Sequence, residues 1–215
     1  MNRCIALLGG SFDPVHNGHV ALAAHFTGLL SADELRVIPT LPWQKGALQA
    51  TPAQRVDMLE LAFTGLPCPV TIDRQELARG TASYSIDTLR AIRAEVGPAV
   101  ALAFLMGADQ LQRLNTWHDW RELFDLAHIC VAARPGFELD PAHVPAEVAA
   151  EFQRRQATPD QVRNTPAGRT MLAATMAVDI SATAIRAALQ RGNRAHSLLP
   201  PVVLDYIEQH NLYKN

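Results

Sequence analysis

Cysteine is scarce, with 3 in 215 residues: Cys4, Cys68 and Cys130. The number is odd, no CxxC pair occurs, and Cys4 and Cys130 lie in apolar runs. That excludes a disulfide framework or a cysteine zinc site and leaves buried free thiols in a reducing compartment. A surplus of positive charge is also missing. Lys and Arg total 19 against 21 Asp and Glu, for a formal net charge of −2. The chain therefore has no general means of neutralising a nucleic-acid backbone, while a local cationic pocket remains compatible with its composition. No apolar run approaches the length of a membrane span. The run after Met1-Asn2-Arg3 stops at Gly9, too short for the apolar region of a signal peptide. A cytoplasmic protein with no nucleic-acid and no membrane partner is expected.

What the chain does have is apolar material, 48% of its residues, enough for a large core, and a length that suits one α/β domain. Short apolar runs at 4–8, 35–38, 70–72, 100–106 and 129–132 alternate with helical patterns. Several of these runs show no polar alternation, as strands do when helices cover both faces of a parallel sheet. The helices are punctuated. Thr51-Pro52-Ala53-Gln54 reads as an N-cap, a proline at the first helical position and a capping-box glutamine. Ser85 can cap a helix closed by Gly97-Pro98, Ser181 one closed by Gly192, and Pro201 can open a last helix.

The expected fold is α/β, a Rossmann-like doubly wound parallel sheet with helices on both faces and a small C-terminal helical part over 181–215. A single domain spans 1–215. Within it, 39–50 reads as a loop long enough to act as a flap. The stretch 137–170 reads as a proline-containing loop with a polar helical piece around 144–155, either an insertion or a partner surface.

The first apolar run leads into Gly9-Gly10-Ser11-Phe12-Asp13-Pro14-Val15-His16-Asn17-Gly18-His19, with a helix from about His19. Glycines without a Cβ allow a sharp turn and a close approach of backbone to a ligand. A helix N-terminus offers unpaired N–H groups and a favourable dipole to a phosphate. His16 and His19, three apart, can both point at that anion and donate to its oxygens, more strongly when protonated. Each piece alone also has an ordinary explanation: Gly-Gly and Asp-Pro make turns, and paired histidines are often solvated. The eleven residues together, between strand and helix, point to a phosphate site.

The string resembles the (T/S)FDPxHxGH signature of the adenylyltransferase branch of the nucleotidyltransferase superfamily. A second segment, Ile180-Ser181-Ala182-Thr183-Ala184-Ile185-Arg186, resembles that family's ISxTxIR motif. With further matches at 82–89, 107–111, Trp117 and 134–136, the chain is most similar to bacterial nicotinate-nucleotide adenylyltransferases. The resemblance implies an ATP site built by Gly9, Gly10, Ser11, Phe12, His16, Gly18 and His19 on one side, closed by Ser181, Thr183 and Arg186 on the other. Arg186 brings a fixed cation with a planar fork suited to phosphate. Lys45 matches the basic position of a family loop, although glutamine stands at 44 where relatives often have histidine. For the pyridine nucleotide the resemblance implies Ser83, Tyr84, Ser85, Asp109 and Trp117, whose broad face can stack a ring. His118 stands where some relatives carry tyrosine, and either stacks and donates or sits on the surface.

The implied reaction is adenylyl transfer from ATP to nicotinate mononucleotide, a step of NAD biosynthesis that releases pyrophosphate. The acceptor's phosphate is already largely ionised at neutral pH, its second pKa being about 6, so it needs little or no general base. The protein's task is then to bring two anions together and stabilise charge, with His16, His19, Lys45 and Arg186 as the groups for it. Mg²⁺ is expected with the ATP, held largely by phosphate oxygens and water, with no dedicated protein ligand. Rival readings are transfer to nicotinamide mononucleotide or phosphopantetheine, or a non-catalytic module that senses ATP or NAD.

Overall fold

The structure, a computed structural model, describes residues 2–41, 48–81, 83–133, 137, 139, 143–174, 180–193 and 197–214. Along the chain run β1 (Cys4–Gly10), α1 (Asn17–Leu29), β2 (Glu34–Pro39), α2 (Pro52–Ala62), β3 (Val70–Ile72), α3 (Gln75–Arg79) and α4 (Ser85–Val96). Then come β4 (Ala101–Gly107), α5 (Ala108–Leu111), two 3₁₀ turns (Leu114–Thr116 and Trp120–Glu122), α6 (Leu123–Leu126) and β5 (His128–Ala133). The chain continues through α7 (Ala146–Arg154), α8 (Pro159–Asn164), β6 (Thr170–Ala174), α9 (Ala182–Gln190) and α10 (Pro201–Gln209).

The strands form one parallel sheet in the order β3-β2-β1-β4-β5-β6. The unbroken apolar character of β1, β4 and β5 follows from this position, because alternate residues enter two separate cores. Cys4, Ala6 and Leu8 of β1 join α1, α2, α9 and α10 on one face. Ile5 and Leu7 join Leu102, Phe104 and Met106 of β4 under α4, α6 and α7 on the other. This is the doubly wound sheet that the patterning leads one to expect. The three thiols are free, and burial pushes that of Cys4 up to about 11, so it stays protonated. No helix among the described residues is long and apolar enough to cross a membrane.

Local sequence explains the element ends. The Thr51 hydroxyl accepts from the Gln54 amide at 3.3 Å and the Gln54 side chain accepts from the Thr51 amide at 2.9 Å, the reciprocal cap that the sequence spells out. Other boundaries shift. Helix α1 begins at Asn17, with His16 in the cap position, and α4 has Tyr84 there in place of Ser85, with no side-chain cap bond.

The stretch 137–170, expected as loop with one helical piece, carries α7 and also α8, and it leads into a sixth strand that the sequence reading does not contain. Residues Thr170–Ala174 are rich in alanine, and the sequence reading assigns them no element. Pairing with β5, from Ile129↔Thr170 to Ala133↔Ala174, overrides that weak local preference.

The strand order places the site. The chain winds outward from β1 through β2 to β3, then crosses back to continue from β4 on the other side of β1. Between the C-terminal ends of β1 and β4 the two directions part, which opens a crevice where ligands bind in folds of this kind. Gly9 and Gly10 end β1, and Gly107 ends β4, so both border the crevice.

Candidate active site

The β1–α1 turn is held in an unusual shape. Phe12 adopts a left-handed backbone (φ 47°) while its ring is buried. A Cβ placed on Gly10 would meet three atoms of that ring at 3.0, 3.1 and 3.3 Å. Gly10 is thus required by the Phe12 ring lying on it. The ring also meets His19 edge-on, with centroids 4.9 Å apart.

His16 and His19 are brought together as their spacing predicts. Their rings stack with centroids 3.7 Å apart and an angle of 22°. The His16 backbone N–H donates to His19 Nδ1 at 3.2 Å. An accepting Nδ1 leaves the proton of a neutral His19 on Nε2, where it can donate to an anion. His16 is buried, and burial pulls its pKa from 6.5 down to about 4, so it is neutral at physiological pH. It is therefore a neutral imidazole and not the imidazolium that the sequence leaves open. Its Nδ1 is buried without a hydrogen-bond partner among the described residues.

Helix α9 reaches this turn through a side chain. Ser181 caps it, the hydroxyl accepting from the Ala184 amide at 3.5 Å. From one turn further on, Arg186 reaches across: Nη1 donates to the Asp13 carbonyl at 2.6 Å and Nη2 to the Thr183 hydroxyl at 3.2 Å. The N-terminus of α1 is tied to the segment after α9 as well, since the Asn17 amide donates to the Leu198 carbonyl at 2.9 Å. The two motifs, far apart in sequence, form one wall. Arg186 spends two of its N–H groups there, and a guanidinium has five.

The residues assigned to the pyridine nucleotide form a second group, at the start of α4 (Ser83 to Ser85) and after β4 (Asp109, Trp117 and His118). Phe104 of β4 links the two groups. Its ring would be 3.6 Å from a Cβ on Gly9, and it meets the half-buried Trp117 edge-on at 6.3 Å. Tyr84 and His118 pack ring to ring at 4.6 Å, and His118 Nε2 is 3.3 Å from Asp119. The Asp109 carboxylate folds back over Gly107, where a Cβ would come within 2.6 Å of it. The turn holding Ser83 to Ser85 is braced from α3. Arg79 donates to the hydroxyls of Ser83 and Thr88, each at 3.3 Å, and Thr88 donates to the buried Glu76 at 2.6 Å. Burial raises the Glu76 pKa. Lys45 lies outside the described residues.

Sequence reasoning missed the charged groups beneath the turn. Asp13, read only as part of a turn, is 2% exposed. Its carboxylate accepts from the Gln49 and Ala50 amides, both at 3.0 Å, and from the Tyr213 hydroxyl at 2.9 Å. Arg55 of α2, fully buried, donates through Nη1 to the carbonyls of Ser11 at 2.6 Å and Thr40 at 3.0 Å. Burial lowers its pKa, and the neighbouring Asp13 and Tyr213 oppose that. Burial, reinforced by the Asp13 charge, raises the Tyr213 phenol far above its usual range, so it remains a donor. The available signal was Arg55 itself, at the apolar spacing of a helix whose Met58, Leu59 and Ala62 are all buried.

Nitrogen donors and amides converge here, a set suited to an anion. Among the described residues no three His, Cys, Asp or Glu side chains come together to hold a metal.

Known proteins place the chain further. The family described as cytidylyltransferase-like matches residues 7–188. A chain from Herminiimonas arsenicoxydans named "probable nicotinate-nucleotide adenylyltransferase" is 63% identical over 216 aligned residues, covering 100% of this chain and 99% of that one. One of the same name from Laribacter hongkongensis is 49% identical, covering 98% and 94%. In fold, the chain is similar to a nicotinic acid mononucleotide adenylyltransferase of Plasmodium falciparum complexed with NaAD. The TM-score is 0.74 at 18% identity, covering 99% of this chain and 98% of that one.

Proposed function

The chain belongs to the nicotinate-nucleotide adenylyltransferases, within the cytidylyltransferase-like family, and from that premise we propose that it joins nicotinate mononucleotide to the AMP part of ATP, giving nicotinate adenine dinucleotide and pyrophosphate. The observation that carries this reading is the contact of Arg186 with Asp13, which unites the wall behind His16 and His19 with the start of α9 at the mouth of the crevice.

In this reading the triphosphate lies between the two helix starts, against Gly9, Gly10, Ser11, Phe12 and Gly18 on one side and Ser181 and Thr183 on the other. The acceptor phosphate attacks the α-phosphorus in line with the departing pyrophosphate. No base is assigned, because the attacking oxygen is already ionised. His19 donates through Nε2, neutral His16 donates beside it, and the N–H groups that Arg186 does not spend on the wall face the polyphosphate. These donors are fixed before substrate arrives, so they stabilise developing charge without reorganising. Lys45 is assigned to the same charge. Mg²⁺ brought with ATP would offset charge on its phosphates. No three His, Cys, Asp or Glu side chains come together among the described residues, so phosphate and water oxygens would hold the ion. The acceptor's pyridine ring packs on Trp117, near Ser83, Tyr84, Ser85, Asp109 and His118.

Pyrophosphate release on mixing the protein with ATP and nicotinate mononucleotide tests the proposal. Release that is fast with the acid and slow with the amide mononucleotide and phosphopantetheine is expected. ATP binding without release for any acceptor would leave a sensor in place of an enzyme.

A further inference from the structure

Beneath the candidate ATP site is a polar cluster drawn from four distant parts of the chain. Asp13 sits in the β1–α1 turn, Gln49 and Ala50 precede α2, Arg186 belongs to α9, and Tyr213 follows α10. The Asp13 carboxylate is the common partner. One oxygen accepts from the Ala50 amide at 3.0 Å and the Tyr213 hydroxyl at 2.9 Å. The other accepts from the Gln49 amide at 3.0 Å and lies 3.9 Å from Arg186 Nη1. The carbonyl of the same residue holds that Nη1 at 2.6 Å.

Tyr213 is not placed there by ordinary packing alone. After α10 the chain turns back on itself with Asn211 (φ 53°) and Tyr213 (φ 60°) both in the left-handed region. For tyrosine that conformation costs on the order of 1 kcal/mol or more and persists where surroundings over-determine it. The residue ends 5% exposed with its hydroxyl on Asp13. Removing that donor would leave a buried carboxylate oxygen with one partner fewer, which is costly in such surroundings. A second tyrosine on the same part of the chain offers a contrast. Tyr206 of α10 donates to Asp57 of α2 at 2.7 Å, an exposed contact that does not involve Asp13.

We propose that Asp13 is a positioning residue through which Tyr213 fixes the phosphate-binding turn and the Arg186 guanidinium for ATP. Neither residue touches substrate. Tyr213 and the two amides hold the carboxylate in place, and the carboxylate with its own backbone carbonyl holds Arg186 beside the histidine pair. This rests on the reading of the site as the ATP site. It adds that the last turn of the described chain is part of that site's support.

The test compares Tyr213→Phe with Tyr206→Phe in the full-length protein. The readouts are equilibrium affinity for a non-hydrolysable ATP analogue, KM for each substrate, kcat and thermal stability. Tyr213→Phe keeps the buried ring and loses one hydrogen bond to a charged group, which corresponds to about a tenfold loss of affinity for the analogue. KM for ATP rises in step, and KM for nicotinate mononucleotide stays within about twofold. Tyr206→Phe changes none of the kinetic values. Asp13→Asn, which cannot accept from all of these donors or pair with Arg186, loses more than Tyr213→Phe. Analogue affinity unchanged in folded Tyr213→Phe, equal losses for both substrates, or equal losses in the two phenylalanine variants would overturn the proposal. Wild-type protein that binds ATP but transfers no adenylyl group refutes the catalytic reading alone, and the affinity comparison still decides this one. Wild-type protein that does not bind ATP overturns both.

Discussion

Arg186 donates to the backbone carbonyl of Asp13 at 2.6 Å, across 173 positions of sequence. One arginine thereby closes the space between the start of α9 and the turn leading into α1. A planar, permanently charged fork can make this contact and still present further N–H groups to a phosphate. Lysine has neither the fork nor the reach in two directions. Arg186→Lys is expected to fold and to lose roughly a hundredfold in kcat/KM for ATP. Steady-state pyrophosphate release measures it, and a loss below about threefold would remove Arg186 from the account.

His19 has two jobs that can be separated. Its Nδ1 accepts from the His16 amide at 3.2 Å and completes the cap of α1, which leaves the proton of the neutral ring on Nε2, the nitrogen assigned to the phosphate. Asparagine can supply the accepting oxygen from a shorter side chain that does not reach the phosphate. His19→Asn should retain thermal stability within a few degrees and lose on the order of a hundredfold or more in kcat. His19→Ala should lose both. A His19→Asn enzyme with near-normal kcat contradicts the catalytic role.

Stability should fall in acid through His16 and the buried His128. His128 accepts from the Arg169 amide at 3.0 Å and binds the Thr165 carbonyl at 2.7 Å, so its neutral form is fixed. Burial pulls both residues from 6.5 to about 4. Above about pH 6.5 neither the folded nor the unfolded chain is protonated there, and there is no effect. Between 6.5 and 4 the unfolded chain takes up protons that the folded chain refuses, so stability drops as pH falls through that window and levels off below it. The loss is on the order of 3 kcal/mol per histidine. Urea unfolding from pH 7 to 4.5 checks this, and His128→Gln, which keeps a donor and an acceptor, should flatten the slope.

Gly10 and the Phe12 ring cannot both keep their places if a methyl group is added. Gly10→Ala would press on three ring atoms at 3.0–3.3 Å, and the ring is buried with its backbone already left-handed. A loss of about 1–3 kcal/mol in stability is expected, as for other overpacked sites. ATP affinity should weaken too, because Phe12 also abuts His19. Unchanged stability and affinity would show that the turn adapts.

Trp117 tests the acceptor side. It borders the crevice through its edge-on contact with Phe104. Trp117→Ala should raise KM for nicotinate mononucleotide by tenfold or more, consistent with loss of a stacked ring, and leave ATP affinity intact. Equal effects on both substrates would reassign Trp117 to packing.

What could be read from the sequence was what lies close together in it. The eleven residues from Gly9 to His19 and the seven from Ile180 to Arg186 stand out because each string combines helix punctuation with chemistry at fixed spacing, and the structure brings the two together through Arg186 and Asp13. The five recognised strands are the ones buried on both faces or flanked by clear turns. The cluster under the turn escaped because its members, Asp13, Arg55 and Tyr213, meet only in three dimensions, and an arginine in a helical pattern reads as surface. Strand β6 escaped because alanines carry little strand signal. Helix α8 need not have escaped: Thr158-Pro159-Asp160-Gln161 repeats the cap of α2, and its Thr158 and Gln161 form the same reciprocal bonds at 3.3 and 3.0 Å.

The proposed chemistry requires a single polyphosphate lying between the starts of α1 and α9. A crystal structure with a non-hydrolysable ATP analogue measures this directly. The prediction is that phosphate oxygens lie within hydrogen-bond distance of His16 or His19 on one side and of Arg186 or the α9 amides on the other. An analogue whose phosphates touch only one of the two walls, or lie outside the crevice between β1 and β4, would contradict it.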